Sequence, residues 1–226
     1  MSESLQNVIS AISLSLDVYS PVQREERYLD LRAELDRLSS PAGGEVDWQR
    51  VLDLGASLLR EVGKDLLVCA YTVSALYEVH GITGVAVGVD ALAGLMRTQA
   101  SHLGPRKAGS RANALRWFLE RLRVALDRMI EASEGPALVA LKKYLGELRA
   151  ASTEHLGERS PAFSPLLEVI ESQLMTLPEE VLVKPFMNLL GLTAKEEKEK
   201  EKEERKEEEE KKGKKEKKEK KEKKGR

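Results

Sequence analysis

The chain has 226 residues, of which 37 are basic and 38 acidic, and only 4% are aromatic. So few aromatics work against a sheet, whose strands draw on aromatic and β-branched side chains. The near-neutral total hides a split, with residues 195–226 at net +4 and the rest at −5; a mildly acidic body argues against general nucleic-acid binding.

Leu5, Val8, Ile9, Ile12 and Leu16 recur at helical spacing and predict a first amphipathic helix that stops before Pro21. Tyr28, Leu31, Leu35 and Leu38 predict a second, closed by SSPAGGE. Asp47 is placed as the N-cap of a third helix with Val51, Leu54, Leu58 and Val62 inside and Gly63 just past its end. The next segment, KDLLVCAYTVSALYEVH, is apolar all round, which predicts a central helix. Four glycines follow within residues 76–96, although each costs about 1 kcal/mol in a helix interior relative to Ala. Gly81 reads as a left-handed stop. Gly84 and Gly88 stand four apart on one face of the following helix, so another backbone can approach there.

The stretch GPRKAGS reads as a loop. Leu115, Leu119, Leu122, Leu126 and Met129 then form an inner stripe that EGP at 134–136 ends. Leu138, Leu141, Leu145 and Leu148 form another, and residues 137–177 read as a helical hairpin. An apolar segment, PEEVLVKPFMNLLGLTA, leads into a tail of Lys and Glu with no apolar residue to bury. The expectation is an all-α, multi-helix bundle of about seven helices with a charged C-terminal tail. Its divisions fall at 1–134, a hairpin at 135–178, an apolar linker at 179–194 and the low-complexity tail at 195–226.

Chemistry is not in evidence. His80, His102 and His155 have no metal-ligand partner at helical spacing, and there is no CxxC, GxSxG, GxGxxG or Walker pattern. Cys69 is the only cysteine, so no internal disulfide forms, and its apolar setting reads as a buried, inert thiol. The N-terminus lacks the basic start and apolar core of a secretory leader. No apolar run approaches the ~20 residues that span a bilayer. The expectation is therefore a soluble protein of a reducing compartment that is not an enzyme, with no cofactor, metal or small-molecule substrate.

Several stretches, taken in order, resemble the N-terminal domain of the ImpA/TssA family of bacterial type VI secretion proteins. They are DWQRVLDLGASLL (47–59), KDLLVCAYTVSALYEVHGITGVAVGVDAL (64–92), HLGPR (102–106) and RANALRWF (111–118). The family pattern falls on Asp47 and Trp48, Lys64 and Asp65, Gly81, Gly84 and Gly88, Pro105, and Asn113 with Trp117; both tryptophans are expected to be largely buried. Family members continue into a ring-assembling domain, whereas here the Lys/Glu tail follows. The resemblance implies a cytoplasmic, non-catalytic assembly factor whose partners are baseplate or sheath proteins, with a homo-oligomer also compatible.

An adaptor of this kind must dock by exposed surfaces. Two are candidates. One is the basic loop with His102, Arg106, Lys107 and Arg111, at one end of the bundle. The other is the segment carrying Val183, Phe186, Leu189 and Leu190. The competing reading is a helical adaptor that contacts nucleic acid or an acidic partner through the basic end of its tail, although that end interleaves Glu and offers no aromatic for stacking.

Overall fold

The computed structural model describes residues 2–16, 21–39 and 44–182, and among these the protein is all-α with no strand. The candidates Phe186, Leu189 and Leu190, with Val183 and the charged tail, lie outside the described residues. The helices are α1 (Glu3–Ser13), α2 (Glu26–Asp36), α3 (Trp48–Glu61), α4 (66–80), α5 (82–99), α6 (Ala108–Ala125), α7 (Gly135–Leu156), α8 (Ser164–Met175) and a short α9 (Glu179–Leu182). The all-α, multi-helix bundle expected from the sequence is what the described residues form, with the one-turn α9 in addition.

The break between α4 and α5 makes the fold. Gly81 has φ 64° and ψ −155°, outside the helical region, a conformation open to glycine and costly to residues with a Cβ. The chain folds back there. Val73 and Gly88 would lie ~22 Å apart on one straight helix. A Cβ added at Gly88 would instead stand 2.8 Å from Leu76 Cδ1 and 3.0 Å from Val73 Cγ1. At Gly84 it would run into the main-chain carbonyl of Leu76 and the Cβ of His80. The glycines of 81–88 therefore divide as the sequence implies: one turns the chain, and two let α5 lie directly on α4.

This pair is the centre of the bundle, and α1, α3, α6 and α7 all pack on it. From Val68 to Leu76 every residue of α4 is buried. Residues 66–102 are, by length and composition, apolar enough to cross a membrane, more than the sequence reading allows. The turn at Gly81 interrupts that stretch, and 61% of its most apolar window is buried inside the bundle, as in the core helices of a globular body.

The predicted stripes hold with local corrections. Leu5, Val8 and Ile12 are buried, but α1 ends at Ser13, so Leu16 lies beyond it. Leu38 falls in a 3-10 turn after α2 and is 41% exposed. The inner position on α2 is instead Glu34, a buried carboxylate paired with Arg37 at 3.2 Å and Arg50 at 3.8 Å. Helix α3 packs on three neighbours, so its buried arc is wider than predicted. It comprises Val51, Leu52, Gly55, Ala56, Leu58 and Leu59, and Leu54 and Val62 are only half-buried.

Helix α6 stops at Ala125. Leu126 still caps it and is buried, while Met129 falls past the end and is 89% exposed. Gly135 and Pro136 do not end that helix but open α7, where proline's fixed φ and missing N–H suit the first turn. Leu138, Leu141, Leu145 and Leu148 are all fully buried against the centre.

Candidate docking surfaces

At one end of the bundle, the Lys64–Asp65 pair organises three helix ends. The Lys64 side chain is buried. Its ammonium donates to the carbonyl of Ala11 in the last turn of α1 and, at 2.9 Å, to that of Leu59 in the last turn of α3. Those carbonyls have no partner within their own helices, and a cation there also meets the favourable end of two helix dipoles. Burial pushes the Lys64 pKa below the ordinary lysine value. Asp65, also buried, N-caps α4 by accepting from the N–H groups of Leu67 at 2.9 Å and Val68 at 3.3 Å; Gln23 donates to its other oxygen. Burial raises its pKa, and those hydrogen bonds oppose the shift.

The basic loop is fastened to this junction. The N–H of Gly104 donates to the Lys64 carbonyl at 2.7 Å, and the N–H of Leu66 to the Gly104 carbonyl at 2.7 Å. The Gly104–Pro105 peptide is cis, and Leu103 is buried beneath the loop. Arg111 holds the loop from its other side, because its guanidinium donates to three carbonyls: Pro105 at 2.8 Å, Ala100 at 3.1 Å and Arg106 at 3.1 Å. The four basic residues picked from the sequence thus separate. Arg111 is spent on the loop's shape, while His102, Arg106 and Lys107 are exposed at its rim. Lys107 occupies the N-cap position of α6, whose first turn holds no acid. A helix N-terminus repels cations, so Lys107 gains nothing from the end of α6, whereas Arg111 serves the opposite kind of end by donating to Ala100, the C-cap of α5.

A second surface was not singled out in the sequence as one. Both tryptophans are intermediate in exposure, and Arg121 connects them on one face. Trp117 stands edge-on to Tyr71, with ring centroids 4.8 Å apart. One turn on, the Arg121 guanidinium lies 5.2 Å over the Trp48 ring and pairs with Glu78 at 2.7 Å. Neither ring packs wholly inside, because each sits at the rim of the bundle: Trp48 is the first residue of α3 after the Asp47 cap, and Trp117 lies beside the buried row of α6. Asn113 is exposed and accepts from Arg116 at 2.6 Å. The sequence signal for this face was spacing: Asn113, Trp117, Arg121 and Val124 recur at helical intervals outside the leucine stripe.

The single cysteine behaves as expected. It is fully buried, and burial raises its thiol pKa well above the ordinary value. Among the described residues no group of three His, Cys, Asp or Glu side chains could hold a metal ion.

Residues 12–120 match the family model described as ImpA, N-terminal, type VI secretion system. Among solved structures, the chain is similar to the N-terminal domain, including the conserved ImpA_N region, of the TssA component of the type VI secretion system from Burkholderia cenocepacia. The two share 17% identity at a TM-score of 0.64, over 77% of this chain and 92% of that one. At that identity the structural likeness speaks to the fold. No curated protein matches. The match runs through the α4–α5 turn, the Lys64–Asp65 junction and the basic loop, so these features lie within the part of the chain that matches the ImpA N-terminal model of the type VI secretion system.

Proposed function

We propose that the chain is a non-catalytic, cytoplasmic assembly adaptor of a bacterial type VI secretion apparatus, and that it docks baseplate or sheath components through the loop at 102–107. The match of residues 12–120 to the ImpA N-terminal model supports the system, and the construction of the loop supports the docking role. Two main-chain bonds to the Lys64–Asp65 junction and three from Arg111 hold it in one shape. Pre-ordering of this kind spares a partner the entropic cost of fixing a loop on binding. The exposed cations at its rim fit an acidic partner surface. On this reading residues 1–134 form the family unit, 135–178 a hairpin that completes it, 179–194 a linker and 195–226 a tether.

The test is a low-salt pull-down of apparatus components with Arg106→Glu in the full chain. Binding should fall while the melting temperature holds. Unchanged binding would remove the loop as the docking site.

A further inference from the structure

The outer face of α6 has a composition that packing does not require. Along it runs an open concavity of about 500 Å³, lined among the described residues by Asn113, Arg116, Trp117, Glu120, Arg121 and Val124. Val124 is 57% exposed. A smaller hollow of about 160 Å³ adjoins it, between α6 and the Pro161–Leu166 corner, and shares Arg116 and Glu120 with the first. The apolar floor is one face of Trp117 with Val124, and the Arg121–Trp48 stack closes the side.

The charge on this face is unbalanced. The α6 charges that line the two hollows are Arg116, Arg121 and Arg123 against a single acid, Glu120. Glu120 is taken by Arg123 at 2.8 Å, and Arg121 by Glu78. Arg116, set between the two hollows, meets only the amide oxygen of Asn113 and no carboxylate among the described residues. An exposed guanidinium beside half-buried tryptophans is the composition found at interface hot spots, where Trp and Arg are enriched. The concavity extends from residue 113 to 124, ~16 Å along the helix, which matches about three turns of a second helix laid alongside.

We infer that this face of α6 docks an acidic amphipathic helix of a partner protein. An aliphatic or aromatic anchor of that helix rests on Trp117 and Val124, and a carboxylate pairs with Arg116. The occupant is acidic because Arg116 is the α6 cation lining the hollows that makes no ion pair among the described residues, Glu120 beside it being paired with Arg123, and a helix because the lining positions recur at helical spacing along α6. This goes beyond the loop at 102–107 and stands or falls without it.

The experiment places the photo-crosslinking residue p-benzoylphenylalanine at Val124, or at the exposed Glu154 on α7 as a control, in the full chain inside secretion-competent cells. The expected result is an adduct from position 124 and not from 154, whose cross-linked segment is acidic with apolar residues at helical spacing. A synthetic peptide of that segment should then bind the purified full chain, and Arg116→Glu should weaken it at least tenfold without lowering the melting temperature. No adduct at 124 above the control, a segment that is basic or lacks acids, a cross-link to a second copy of this chain, or unchanged peptide affinity in Arg116→Glu would each overturn the inference.

Discussion

In the α4–α5 hairpin, the residues of the family pattern are consumed by packing, whereas on the outer face of α6 they remain at the surface. Lys64 and Asp65 are buried, and Gly84 and Gly88 have no room for a Cβ. Asn113 is exposed and Trp117 half-buried, one above the other on a helix whose inner row is leucine. A motif read from sequence therefore mixes two kinds of constraint. Only burial and contact separate the residues that shape the body from those that shape its surface.

The sharpest way to break this contrast is at Gly84. A leucine there must displace the main chain of Leu76, not a yielding side chain. Overpacking usually costs about 1–3 kcal/mol and more where backbone is met. Gly84→Leu should therefore lose cooperative thermal unfolding, with Gly88→Leu milder because its neighbours are side-chain tips. A Gly84→Leu protein that melts like wild type would refute the close contact.

Lys64→Met comes next. It keeps the volume but leaves the carbonyls of Ala11 and Leu59 without their donor. A buried polar group left unpaired costs about 1–3 kcal/mol, read as a lower midpoint in denaturant titration. At the small end, Asn113→Ala should stay within ~0.5 kcal/mol of wild type, as surface substitutions do. A large loss there would show that the α6 face belongs to the core after all.

Much of this body was legible in the sequence because its signals are local. Periodic leucines marked α6 and α7, Asp47 marked the start of α3, and Gly81 marked the turn. The errors arose where the deciding partner is distant in sequence. Nothing near Lys64 announces that its ammonium reaches Ala11; the carbonyls that Arg111 clamps are close in sequence, but they converge on it only through the irregular shape of the loop, which carries no periodicity. Glu34 could have been found, since it falls on the inner face of α2 beside Leu31 and Leu35, but its compensating Arg50 comes from another helix. Met129 kept the period of its stripe yet lies beyond the end of α6, because periodicity says which face a residue occupies only while the helix lasts. The tryptophans are intermediate in exposure, with Trp48 opening α3 and Trp117 midway along α6; a ring this large is mostly buried on average and seldom completely so.

The fold-back at Gly81 underlies all of these assignments, because it brings residues 64–66 against Gly104 and so builds the support of the basic loop. Double electron–electron resonance between spin labels at Glu61 and Ser101 tests it directly. Both positions are exposed, and the sole native cysteine is buried away from the label. With Asp65 bridged to Gly104, the reach of the chain limits the labelled backbones to under ~30 Å. A continuous helix over 66–99 would hold them ~50 Å apart. A distribution centred below the first value is predicted, and one centred near the second would contradict the account.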